Sequence, residues 1–187
     1  AFKDPVLDNG YAFKVDHRFG NRNSMFVRYS WRHFFVQGQG DFKAAATSRK
    51  VNRYTPGLSL NDTFTLNSTT VLNFVYGFTR YRQITKADGY GFSLASLGMP
   101  DSIARLIDRP AIPTVTATGF TSFGTFDLDD DVTETHFAQA SITKHSGRHA
   151  MRAGYGARLL RHNGGPGGTT AGTYAFNTVF TRGPNPQ

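Results

Sequence analysis

Asp127, Asp129, Asp130 and Asp131 form the densest group of hard oxygen ligands in the chain. Oxygen-rich loops suit Ca²⁺, but an EF-hand loop needs a glycine at its sixth position and none stands there. The plainer reading is a solvated acidic loop. His136, His145 and His149 invite a metal through imidazole nitrogen. However, His145 and His149 flank a turn and His136 lies back along the preceding strand, so the spacing does not define a site. The run Gly164-Gly165-Pro166-Gly167-Gly168 lacks a following Lys-Ser/Thr and a βα setting, and so reads as a flexible loop, not a phosphate cradle. Asn61-Asp62-Thr63 and Asn67-Ser68-Thr69 match glycosylation sequons, but the composition of the hairpin that holds them accounts for both. No Ser-His-Asp arrangement survives the strand facing derived below, so neither an enzyme nor a cofactor is expected. Six arginines remain: Arg28, Arg32, Arg80, Arg82, Arg152 and Arg158.

Long β-strands must position these groups. Between Leu72 and Thr79, Leu72, Phe74, Tyr76 and Phe78 share one face while Asn73, Val75, Gly77 and Thr79 share the other. Such a period of two marks a strand with unlike surroundings on its two sides. Asp62 to Leu66 also alternates, and Asn67 to Thr70 are turn formers, so a hairpin spans about 58–84. A first hairpin at about 10–35 turns at 20–23; Tyr11, Phe13, Val15 and Phe19 oppose polar neighbours, and Met25, Val27, Tyr29 and Trp31 oppose Arg28, Ser30 and Arg32. Phe26 breaks that alternation. A third hairpin at about 132–161 turns at His145–Arg148, and its return strand sets Met151, Ala153, Tyr155, Ala157 and Leu159 against Arg152, Gly154, Gly156 and Arg158. A last strand is expected at 172–180. Loops fill 36–57, which ends at Pro56-Gly57, and 85–131, where Asp101 is placed to cap a short helix to Ile107.

Composition narrows the class. Aromatic residues make up 14% and charged residues 18%, too apolar a balance for a disordered tail. The absence of cysteine excludes a disulfide framework and thiolate-bound metal. No apolar run reaches the ~18 residues of a membrane-crossing helix. The net charge of +8 is spread along the chain without a nucleic-acid motif, so no nucleic-acid partner is expected. The start at AFKDPVLDNG, without Met, and the loop-like end TRGPNPQ suggest a piece of a longer protein.

The loop lengths decide between the two all-β readings. Short turns alternate with long loops, a pattern that ordinary soluble domains seldom carry and membrane barrels use routinely. The expected fold is therefore an antiparallel transmembrane β-barrel segment of about six or seven long strands, its aromatic face toward lipid. Trp31, Tyr29, Tyr81 and Phe19 would form an interfacial girdle. Arg28, Arg32, Arg152 and Arg158 would face the lumen, salt-bridged to a plug, solvated, or drawing anionic ligands. Arg80 and Arg82 are in phase with the lipid face but at its end, clear of the membrane.

The segments FVRYSW at 26–31, TTVLNFVYGFTRYRQ at 69–83, FSLASLGMP at 92–100, RHAMRAGYGARLLRHN at 148–163 and FTRGPNPQ at 180–187 resemble TonB-dependent outer-membrane receptors. The subgroup bearing a carboxypeptidase-regulatory-like N-terminal domain is the nearest in kind, over about Val15 to Gln187. The resemblance implies a bacterial outer-membrane location and a barrel of about twenty-two strands around a plug. It also implies active uptake of a small ligand, energised by the TonB complex through an N-terminal part. Plug, TonB box and most of the barrel are not in these residues, so the resemblance implies an interior barrel fragment. Its partners would be outer-membrane lipid, the plug and the remaining barrel, with ligand contacts in the loops at 36–57 and 85–131. The competing expectation is a soluble β-rich carbohydrate- or protein-binding module, adhesin-like, that buries the Leu72–Phe78 face against a second sheet.

Overall fold

The computed structural model describes residues 4–40, 42–124, 128–165 and 167–179. Strand β1 (Val6–Phe19) pairs antiparallel with β2 (Asn23–Gly38) around the turn 20–22, where Gly20 takes the left-handed φ of 66° that other residues resist. After a loop at 39–48 the chain returns as β3 (Arg49–Tyr54) and β4 (Gly57–Asn67), and both pair with β2 and with β5 (Thr70–Ala87). β7 (Leu128–Ser146) pairs with β5 along nearly its whole length, and β8 (His149–Gly164) follows it as a hairpin. These seven strands make one antiparallel sheet with β1 and β8 at its edges. Short turns at 20–22, 68–69 and 147–148 lie at one end. The loop 39–48 and the long connection described over 88–124 lie at the other. The expected all-β fold with alternating short and long connections is the observed one.

The first long loop is shorter than its sequence suggested. β3 and β4 are in effect one returning strand, interrupted at Thr55 and Pro56. The sheet bonding passes across the interruption: Thr55 donates its N–H to the Arg32 carbonyl at 2.9 Å, and the Pro56 carbonyl accepts from Arg80 N–H at 3.0 Å. A proline lacks only the donor, so it can sit at a discontinuity without ending the strand. At the next turn, Asn67 Oδ1 accepts hydrogen bonds from Thr69 N–H at 3.0 Å and Thr69 Oγ1–H at 2.9 Å, a side-chain-closed turn that reverses the chain into β5.

Register places one apolar row after another across the sheet. Phe13, Tyr29, Leu58, Phe78, His136 and Leu159 are successive partners, as are Val15, Val27, Leu60, Tyr76, Ala138 and Ala157. Nothing covers this face: Phe13 is 66% and Val15 68% exposed, and no second sheet packs on it among the described residues. The soluble sandwich expectation lacks the partner it requires. Tyr11 to Phe19 covers roughly 26 Å of strand, close to the ~9–11 residues with which a tilted strand crosses a bilayer. Polar His17, Asn23 and Asp62 interrupt this face toward the short turns, and one side-chain oxygen each of Asn23 and Asp62 is buried without a partner. At the loop end of the band, Tyr11 stacks on Trp31 at 5.2 Å and His33 on Tyr54 at 4.7 Å, which supplies the aromatic girdle. Tyr81 is not part of it, because its position is odd on β5 and its face is the polar one.

The conventional core lies in the loops and the strand ends that meet them. Val51, Ala87, Leu94, Ala111 and Ala171 are the buried hydrophobic residues among those described. The long connection carries a 3₁₀ turn (Leu94–Leu97), one helical turn α1 (Asp101–Ala104) and strand β6 (Thr114–Ala117). The helix is shorter than expected and Asp101 does not cap it: Pro100 holds the cap position, and the Asp101 carboxylate instead approaches Arg105 at 4.0 Å. Ile103 and Leu106 are 50% and 80% exposed, so no apolar face of the helix is buried. The expected last strand is confined to β9 (Thr173–Phe176), which leaves the main sheet and pairs in parallel with β6; positions 180–187 lie outside the described residues.

Candidate functional site

Two features stand out: the polar face of the sheet and a cap folded from its loops. The polar face contains Lys14, Arg28, Ser59, Gly77, Phe137 and Arg158 in one row and Asp16, Phe26, Asn61, Val75, Gln139 and Gly156 in the next. Phe26, out of phase with its apolar neighbours, belongs here because Lys14 Nζ lies 4.6 Å from its ring centre. Asn73 Nδ2 donates to Asn61 Oδ1 at 3.3 Å and to Thr63 Oγ1 at 3.0 Å, a small hydrogen-bonded patch on this same face.

Arg28, Arg32, Arg152 and Arg158 lie on this face by register, but they do not form one cluster. Arg28 and Arg158 share a row at separated strands, and Arg158 lies over Phe137 at 5.8 Å. Arg152 Nη2 reaches Ser141 Oγ at 3.4 Å. Arg32 forks onto Asp8 with N–O distances of 2.8 and 2.5 Å, an ion pair across β1 and β2. The residues that do converge are near the loop end. Arg53 donates Nε–H to Gln83 Oε1 at 2.7 Å and lies over Phe34 at 5.2 Å, and Tyr81 O–H donates to the same Gln83 oxygen at 2.9 Å. Arg53, Phe34 and Tyr81, with Arg32 and Thr55, border a cavity of about 190 Å³. Arg53 was hidden because Pro56-Gly57 reads as the end of a loop. The alternation Val51, Arg53, Thr55 against Asn52 and Tyr54 was the available signal.

Arg80 and Arg82 lie in phase with the apolar face, Arg80 level with the Tyr11–Trp31 stack and Arg82 with the His33–Tyr54 stack. Their partners are acids of β7: Arg80 meets Glu134 at 3.4 Å, and Arg82 forks onto Asp130 at 2.9 and 2.6 Å. This assignment also disperses the acidic group. Asp129, Asp130 and Asp131 are strand residues of β7, not loop residues, so Asp130 points to the side opposite Asp129 and Asp131. This part of β7 lies above the apolar band, outside the membrane. There the Arg82 guanidinium holds the Asp130 carboxyl below its ordinary value, while burial, then Asp131, push Asp129 above its own. Asp127 lies outside the described residues. His136 accepts or donates a 2.9 Å hydrogen bond with Tyr76 Oη inside the band, whereas His145 and His149 fall at the far turn on opposite faces. No group of three or more His, Asp or Glu suited to a metal ion occurs among the described residues.

The cap ties three loops together. Asp88 N–H bonds the Ser48 carbonyl at 3.0 Å, Gly124 N–H the Ala46 carbonyl at 2.8 Å, and Thr170 Oγ1–H the Arg109 carbonyl at 2.6 Å. Phe42, Val115, Phe120 and Phe123 line an apolar cavity of about 520 Å³ between the loops at 39–48 and 88–124. Its size falls in the ~300–1,000 Å³ range of small-molecule sites.

Comparison with known families agrees with this architecture. A family model described as an outer membrane beta barrel domain matches residues 4–187, and the chain belongs to that family. It is a barrel domain of the bacterial outer membrane, with its apolar face toward lipid. A search of curated proteins gives no match.

Proposed function

We propose that this barrel domain is part of a TonB-dependent receptor that takes up a small ligand. The observation that carries the proposal is the folded cap at the long-loop end, which holds a ligand-sized apolar cavity. Plain porins need little more than a channel; a structured cap suits selective capture. The five segments that resemble these receptors support the same reading. Under it, β1 and β8 join further strands of the same barrel, the polar face meets a plug domain, and the TonB complex acts through that plug. The segment has no catalytic role and no nucleic-acid partner.

The test is energised uptake by cells carrying the whole protein, with and without a functional TonB complex, across a panel of iron chelates, sugars and peptides. At least one solute should require both the protein and the complex. Equal entry with the complex disabled would make the barrel a passive channel and overturn the proposal.

A further inference from the structure

We infer that the polar face carries an oxyanion-binding site centred on Arg53, which takes a carboxylate or phosphate group of a dissolved solute. This rests on the uptake reading and deepens it by naming the charge of the captured group.

Three observations carry it. First, Arg53 is half-buried and its guanidinium is held in place on two sides, by Gln83 Oε1 at Nε and by the Phe34 ring beneath. Of five N–H donors the Gln83 bond uses one, which leaves the terminal nitrogens for a ligand. Second, no carboxylate of a described residue lies within ion-pair distance of Arg53, whereas the neighbouring Arg32 is neutralised by its fork onto Asp8. Third, a real cavity adjoins it, with Thr55 and Tyr81 in its wall. At about 190 Å³ it is too small for a whole drug-sized ligand, and suited to one anionic group of a larger one. Arg28, Arg152 and Arg158 share the face, but none of them borders this cavity.

The site is preorganised. Gln83 Oε1 accepts from both Arg53 and Tyr81, so the amide, the phenol and the guanidinium fix one another before any ligand arrives. Asp131 is the next residue in the same row, on the far side of Gln83, and its carboxylate opposes an entering anion. Binding must therefore depend on direct, charge-assisted hydrogen bonds and not on a broadly positive field.

The whole protein, purified from outer membranes in detergent, would be titrated calorimetrically with citrate and with inorganic phosphate. One of them should bind, and Arg53→Gln should weaken it by at least about tenfold, the size of a lost charged hydrogen bond. Arg28→Gln should leave it within about twofold. Thr55→Val, which removes a hydroxyl without touching the charge, should cost a smaller factor and covers the case in which the Arg53 variant fails to fold. Equal losses in the Arg28 and Arg53 variants would reduce the site to diffuse charge and overturn the inference. No binding to the wild-type protein would overturn it too, because the pocket would then be filled by a carboxylate of the same protein or by nothing. Anion binding is measured without energy coupling, so its failure and the failure of TonB-dependent uptake are separate results.

Discussion

Phe13 on the sheet is 66% exposed and Leu94 in the cap is 2% exposed, although both are large and apolar. The two regions obey opposite rules. In the sheet, apolar side chains point away from the protein because their solvent is lipid, and the backbone satisfies itself through the strand ladder. In the cap, the solvent is water and apolar side chains turn inward, as in any small globular core. One chain switches between the two rules at the level of Tyr54, Arg82 and Asp130. There the girdle stacks and the Arg82–Asp130 fork mark where lipid gives way to water.

The sharpest break of this contrast is Leu60→Lys, in the row between Val27 and Tyr76. A cation on the lipid face near the middle of the band should cost roughly 2–4 kcal/mol and block membrane assembly. Folding into lipid vesicles, followed by the heat-dependent gel shift of barrels, reads it; normal assembly would mean that this face does not meet lipid. Leu94→Ala tests the other rule. It should cost about 2 kcal/mol, the low end for a buried leucine because a cap at the surface can collapse around the gap. The loss should appear as faster proteolysis within 88–124, with the barrel's gel shift unchanged.

Gly154→Val probes the seam between the faces. A Cβ at this position would stand 2.8 Å from both the Ala140 carbonyl oxygen and Ser141 Cβ, so β8 must back away from β7. A cost of about 1–2 kcal/mol is expected from such overpacking, read as lower stability to urea in vesicles. Smallest is Asp130→Asn at the boundary. The folded carboxyl lies below its ordinary value, so its stabilisation is present at neutral pH and is lost as pH falls through that lowered value. The wild type should lose slightly more stability in this acid range than the variant, which keeps the Asp8–Arg32 pair. Urea titrations at pH 7 and pH 3 compare them, and identical pH responses would deny the pair any role.

The parts of the fold that could be read in advance were those with a local rule. Leu72 to Thr79 alternates at every step, so strand, faces and hairpin followed from side-chain type alone. Tyr81 was misplaced because aromatic character was weighed above its odd position on β5. β3 was missed because Pro56 hides the continuity of a strand that only its two neighbours reveal. The site at Arg53 fell with it.

What the sequence by itself determined is the strand pattern of a membrane barrel: a period of two over long stretches, aromatic on one side, with connections alternately short and long, which ordinary soluble domains seldom carry. The tertiary structure alone decided the cap and the site at Arg53. β6 and β9 pair in parallel from distant parts of the chain, Ala46 meets Gly124, and Arg53 meets Gln83 across a strand boundary. None of these contacts has a period or a motif to announce it. Each exists because the strands first bring the loop ends together, and water then drives the loops' few apolar residues into one another.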